Sequence, residues 1–171
     1  MKISELETPA LILEKKVFES NMAKMNELLK GSKMKLRPHY KSNKCPEIAK
    51  LQIAAGASGI TCAKLSEAED LAGAGIENIL IGNQVVQPSK VKRVGELAKK
   101  CYLIICVDDA DNIKALSESA VNAGSVIHCL VEYEVGMKRC GVDTYEEFLE
   151  LAKLIDASEG LVFEGIQAYA G

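Results

Sequence analysis

From Leu36 to the final residue, short apolar runs alternate with longer segments of helical periodicity. The runs are Leu36–Lys41, Gly59–Ala63, Asn78–Gly82, Tyr102–Val107, Val126–Tyr133 and Leu161–Tyr169. A strand with one wet face alternates apolar and polar residues, whereas Tyr102–Val107, YLIICV, is apolar along its length. That pattern predicts strands buried on both faces, as in a parallel sheet covered by helices. The spacing predicts helices over Pro46–Ala55, Ser66–Gly73, Ser89–Lys100, Asp108–Asn122 and Thr144–Ile155. Their starts carry signals of their own. Pro46 suits a first turn, Ser66 with Glu69 and Thr144 with Glu147 form capping boxes, and Asp108 complements a helix dipole. Ahead of this region, Thr8–Leu13 (TPALIL) reads as a short strand and Lys15–Leu29 as a helix ended by Gly31.

An open, doubly wound sheet and a (β/α)8 barrel both have this rhythm. No run is followed by G-x-G-x-x-G, and Gly73-Ala74-Gly75 falls at a helix end, where it reads as a C-cap. A TIM-type barrel of eight units takes roughly 250 residues. The 171 residues reach the tip of a sixth strand, and a domain rarely stops with such an edge open. The expectation is the amino-terminal part of a longer protein, an α/β parallel barrel truncated after strand six.

The net charge is −3 with no basic block, which argues against a nucleic-acid surface. No run approaches the roughly 18 apolar residues of a membrane span, and MKISELETPA has no signal-peptide apolar region. A soluble, cytoplasmic protein is expected. The six cysteines form no C-x-x-C pair. Cys62, Cys106 and Cys129 lie inside apolar runs and read as small buried hydrophobes, and neither a disulfide framework nor a zinc site is expected.

Leu36–Lys44, LRPHYKSNK, concentrates polar chemistry. Alternation puts Arg37, His39 and Lys41 on one strand face. They are either a solvated face or a nucleophilic amine with Arg37 and His39 beside it; a lysine attacks carbonyls when neutral, and a nearby cation or desolvation favours that state. His39 is then a core residue or a proton-transfer group near Lys41, and Arg37 either lowers the amine's pKa or binds a substrate carboxylate. Gly136–Gly141, GMKRCG, is a charged surface turn or a segment whose glycines allow close backbone approach. Gln167 and Tyr169 share a parity at the last strand. His128 and Glu132 share a strand face but do not read as a metal pair. Asn83 and Gln84 read as rim contacts, and Glu67–Asp70 as the acidic start of a helix.

Three motifs, RPHYK, GMKRCG and GIQAYAG, together resemble the D-threonine aldolase and D-serine dehydratase group of alanine-racemase-like, fold-type III pyridoxal-phosphate enzymes. The group's usual Thr-His-Lys continuation of the first motif is replaced here by Ser42-Asn43-Lys44. The resemblance implies that Lys41 carries pyridoxal 5'-phosphate as a Schiff base, that Arg139 reaches the cofactor's phenolic oxygen, and that Tyr169 lies against its ring with Gln167 facing the same side. The expected catalytic residues are Lys41, from the resemblance, and His39, from its place beside that amine. The implied activity is a lyase on D-β-hydroxy amino acids, cleaving D-threonine or 3-hydroxy-D-aspartate to glycine and an aldehyde. Dehydration, racemisation and non-catalytic cofactor binding are the alternatives. A divalent metal with ligands outside this chain, a homodimer, and pairing of Thr8–Leu13 with a second, β-rich domain are also implied.

Overall fold

A computed structural model describes residues 2–171. The chain divides into two compact units, Met1–Lys35 and Leu36–Gly171. The first contains a 3-10 turn at Ile3–Glu5 and helix α1, Lys15–Leu29, over the expected span. Thr8–Leu13 forms no strand, contrary to the sequence reading. A strand exists only by pairing its N–H and C=O groups with a neighbour. An apolar run does not by itself supply that neighbour.

The second unit alternates as anticipated: α2 (Pro46–Ala54), β1 (Ile60–Cys62), α3 (Leu65–Gly73), β2 (Asn78–Ile81), α4 (Pro88–Ala98), β3 (Tyr102–Val107), α5 (Ala110–Ala123), β4 (Ile127–Tyr133), α6 (Tyr145–Asp156) and β5 (Leu161–Ala168). All five strands are parallel and lie in sequence order. A doubly wound sheet would reverse its strand order at a switch point; an unbroken order is the wall of a barrel.

Leu36–His39 runs beside β1 where the first barrel strand was expected. The Ser58 and Thr61 amides donate to the Leu36 and Pro38 carbonyls at 2.9 and 2.8 Å, and His39 bridges Thr61. It is not a full strand. Pro38 has no N–H to give a ladder, and a 3-10 turn begins at Tyr40.

The strands bury both faces, as a parallel sheet requires. Ile79, Ile81, Leu103, Ile105, Ile127 and Val131 pack against Leu71, Val94, Ile113, Leu116 and Ile155 of the helices. On the opposite face Leu80, Ile104 and Cys106 form a second, smaller cluster with Leu130. The three run-embedded cysteines are fully buried, and all six are free. Burial pushes the Cys62 and Cys129 thiols up to about 12, so both remain protonated and unreactive at neutral pH.

Two local features differ from or refine the sequence reading. Helix α3 begins at the buried Leu65, which draws Ser66 inside the first turn, so the Ser66–Glu69 capping box does not form. Glu69 instead accepts from Arg93 Nε of α4 at 2.8 Å. The Thr144–Glu147 box at α6 is present. Between β4 and β5 the register slips: Cys129 pairs with Phe163, but Leu130 pairs with Gly165, leaving Glu164 as a bulge. Gly165 has φ +139°, a region open essentially to glycine alone.

Candidate active site

The bulge decides what β5 presents. Phe163 packs against the helix-side core, and two residues later Gly165 already lies opposite the inner Leu130. Without the extra residue Gln167 and Tyr169 would take the helix-side parity. With it, both line a cavity of about 300 Å³ at the carboxyl ends of the strands, together with His39, Lys41, Glu132 and Arg139. A larger hollow of about 590 Å³ between α4 and α5 gathers no comparable set of reactive groups.

Lys41 reaches this cavity from the 3-10 turn Tyr40–Ser42 rather than by strand alternation. His39 is the N-cap of that turn, its Nδ1 accepting from the Lys41 amide at 3.2 Å. An accepting Nδ1 carries no proton, which leaves the imidazole neutral with its hydrogen on Nε2. Desolvation and then the Lys41 charge lower the His39 pKa, against a raising effect from Glu67.

Arg37 does not join the group. It keeps the His39 parity but lies two residues earlier, about 7 Å back along an extended chain. Its Nη1 donates to Asn78 Oδ1 at 2.7 Å, at the amino end of β2. Desolvation lowers its pKa, against a raising effect from Tyr102. The expected trio of Arg37, His39 and Lys41 on one face is therefore a pair plus a separate residue at the other end of the barrel wall. His128 and Glu132 are likewise apart in role: His128 stacks on Tyr102 at 3.9 Å and its Nδ1 lies 2.7 Å from Glu164 Oε1.

Arg139 is presented by Gly136–Gly141. That loop folds around the Glu134 carboxylate, which accepts from the Gly136 amide and, at 3.2 Å, from the Arg139 amide. Partial desolvation pushes Glu134 up, but donors from Gly136, Arg139, Lys138 and Met137 outweigh it and hold the acid low. The loop closes at Gly141, φ +100°, whose amide donates to Asp108 Oδ2 at 2.9 Å. A Cβ there would meet the Glu134 amide at 2.9 Å.

The Arg139 guanidinium lies over the Tyr169 ring, 4.8 Å from its centroid. Its Nη2 is 4.0 Å from Glu132 Oε1. Glu132 is buried, accepts from Gln84 Nε2 at 2.7 Å, and lies 3.2 Å from the Cys140 thiol. The sequence reading gives Glu132 no role. The available signal was an acid inside the apolar run VIHCLVEY, upstream of Arg139 and on the strand face opposite the helix-side core. Gln84, read as a rim contact, is part of the same network.

Among the described residues no group of three or more His, Cys, Asp or Glu side chains could hold a metal ion, and no helix is long and apolar enough to cross a membrane.

Residues 14–171 match the alanine racemase N-terminal domain. The chain belongs to that family. It is 43% identical over 169 residues to a D-threonine aldolase of Arthrobacter sp, covering 99% of this chain and 45% of the relative. A 3-hydroxy-D-aspartate aldolase of Paracoccus denitrificans is 42% identical over 173 residues, with 100% of this chain and 45% of the relative covered. The crystal structure of D-threonine aldolase from Filomicrobium marinum superposes with a TM-score of 0.96 at 43% identity, over 99% of this chain and 46% of that one. The chain thus spans about half the length of the curated relatives it matches, and its family fold is the barrel that the unbroken strand order describes.

Proposed function

We propose that this chain supplies the cofactor-binding barrel of a pyridoxal-phosphate-dependent lyase. Its substrates are D-β-hydroxy amino acids of the D-threonine or 3-hydroxy-D-aspartate type, cleaved to glycine and an aldehyde. The observation that carries this is the convergence of Lys41, His39, Arg139, Gln167 and Tyr169 in one cavity. Two curated relatives at 43% and 42% identity, both aldolases, favour retro-aldol cleavage over dehydration.

The residues present fit the cofactor. Lys41 supplies the amine that would hold its aldehyde, Arg139 a guanidinium for its phenolate, and Tyr169 and Gln167 the contacts for its ring. When bound, pyridoxal phosphate supplies an electron sink for the bond broken at the substrate α-carbon. Arg139, held between Glu132 and the Tyr169 ring, arrives pre-aimed and loses little freedom on binding. Neutral His39, with a hydrogen on Nε2 and its Nδ1 occupied by the Lys41 amide, can donate a hydrogen bond from Nε2 without adding a second charge beside the amine. Asn78 holds Arg37 away from the cavity, so substrate-carboxylate binding is assigned elsewhere in the complete site.

A divalent metal acting on the β-hydroxyl, with ligands outside this chain, and a homodimer belong to the same reading. Six free thiols suit the reducing cytoplasm.

The test uses the complete gene product. Borohydride reduction with pyridoxal phosphate should place a pyridoxyl group on Lys41, and Lys41→Ala should remove it. D-threonine or 3-hydroxy-D-aspartate should yield glycine. A Lys41 label with ammonia, the enantiomer or no product instead of glycine would reassign the protein as a dehydratase, a racemase or a carrier. An unlabelled Lys41 would refute the reading.

A further inference from the structure

The turn that presents Lys41 is fastened to a single helix on both sides. Before Lys41, the buried Tyr40 donates its hydroxyl to Asp70 Oδ2 of α3. Burial, and then the bond to Asp70, pushes that phenol well up, so it is a donor throughout the working pH range. After Lys41, the Lys44 ammonium lies 3.6 Å from Glu67 Oε1, also on α3. Glu67 Oε2 accepts from the Ala63 amide at 3.0 Å, at the end of β1.

These attachments are not ordinary helix capping. Glu67 occupies the third position of α3, where a capping-box acid would bond the N-cap amide. Lys64 is the N-cap, and Glu67 reaches past it to Ala63. Lys44 has φ +48°, a left-handed conformation unusual for a side-chain-bearing residue. Glu67 is only 7% exposed, and an acid so placed is costly to bury unless charged and polar partners meet it. Lys44 and the Ala63 amide meet that need, which ties the Lys44 end of the Lys41 turn, through Glu67, to the end of β1, while the Tyr40 end is held by Asp70. Neither Glu67 nor Asp70 lines the cavity.

We propose that α3 is a clamp: Glu67 and Asp70 are positioning residues that set the place of the Lys41 amine through Lys44 and Tyr40. What the amine does once placed rests on the function proposed above; the clamp itself is a statement about the turn. It makes a specific claim on Lys44, which without it is merely a half-exposed surface lysine.

Glu67→Gln, Lys44→Met, their double variant and Tyr40→Phe, each in the complete gene product, test it with two readouts. Without cofactor, amide hydrogen exchange at residues 41–44 should quicken about tenfold in Glu67→Gln, while the α5 and α6 amides keep their wild-type rates. With subsaturating pyridoxal phosphate, the borohydride-fixed label on Lys41 should fall by a similar factor in Glu67→Gln and in Lys44→Met. The double variant should be no worse than the poorer single one, because both break the same link. Tyr40→Phe should act in the same direction from the other side of the turn. Unchanged exchange at residues 41–44, or Glu67→Gln and Lys44→Met effects that multiply, would overturn the clamp. Should Glu67→Gln not fold, Lys44→Met on its exposed side chain decides the matter alone. A wild-type protein without label on Lys41 would defeat the proposed function, and the exchange rates would still support or overturn the clamp.

Discussion

A guanidinium as exposed as that of Arg139, whose side chain is 53% accessible, would sample many rotamers if nothing restrained it. Glu132 and the Tyr169 ring restrain it from two directions. Glu132 is itself satisfied by Gln84, so its carboxylate is held correctly turned inside the wall. Replacing Glu132 by Gln keeps the shape and removes the charge. Losing an ion pair to a guanidinium this exposed costs about 0.2–1 kcal/mol, so the dissociation constant for pyridoxal phosphate should rise by roughly two- to fivefold, read by absorbance titration. Wild-type affinity in that variant would mean that Arg139 is aimed by Tyr169 alone. Arg139→Ala should weaken binding too. It also leaves Glu132 buried with only neutral partners, so its melting temperature should fall further than that of an exposed Arg→Ala elsewhere.

Among the secondary-structure elements, two glycines set geometry that no other residue could. The β5 bulge turns Gln167 and Tyr169 into the cavity, and Gly165 at φ +139° makes the bulge possible. A Cβ at Gly165 finds open space, the nearest contact being Leu130 at 3.9 Å, so the obstacle to substitution is backbone strain, about 1–3 kcal/mol. Gly165→Ala should lower the urea midpoint by a corresponding amount and impair cofactor binding beyond what stability explains. Gly95 on α4 has the opposite problem. Its backbone is unstrained, but a Cβ would meet the Ser119 carbonyl oxygen of α5 at 2.5 Å. Gly→Ala in a helix gains about 1 kcal/mol of propensity, and overpacking costs about 1–3 kcal/mol. The clash is with backbone, which cannot move aside cheaply, so Gly95→Ala should destabilise; a raised melting temperature would show that α4 and α5 slide apart freely.

Over the whole molecule, acid should weaken the fold at several separated places at once. The hydrogen bond from Tyr102 lowers Glu164 most, against burial, with His128 adding to it. Thr144 lowers Glu147 at the α6 cap, and the loop amides lower Glu134 against its desolvation. Each folded pKa lies below the unfolded one, so each contribution is complete above the unfolded value of about 4.3 and is lost as pH falls through the folded value. The urea midpoint should begin to fall as pH drops below about 6.5, where His39, its pKa lowered by desolvation and then the Lys41 charge, is protonated first in the unfolded chain, and it should decline further below about 4.5 as the carboxylates are protonated. A midpoint that rises on acidification across that interval would contradict these assignments.

Much of the secondary structure was legible in the sequence. The helices over Lys15–Leu29 and Pro46 onward, the strand Tyr102–Val107 and the Thr144–Glu147 cap fall where periodicity and end signals put them. These are local properties, set by how side chains repeat along a few turns or a few residues. The missed features are all matters of partnership. Thr8–Leu13 looked like a strand, but a ladder needs a second backbone. Arg37 shared a parity with His39, but parity says nothing of which end of the wall a residue occupies or that Asn78 waits there. Ser66 looked like a cap until a buried Leu65 moved the helix start.

Sequence alone determined the order of strands and helices, the parallel sheet and the family motifs at Lys41, Arg139 and Tyr169. Tertiary structure alone decided that Glu132 faces Arg139, that a bulge at Glu164 brings Gln167 and Tyr169 inward, and that α3 grips the Lys41 turn. The division has one physical cause: backbone conformation follows from neighbours along the chain, whereas a buried charge is defined by whatever distant element folds against it.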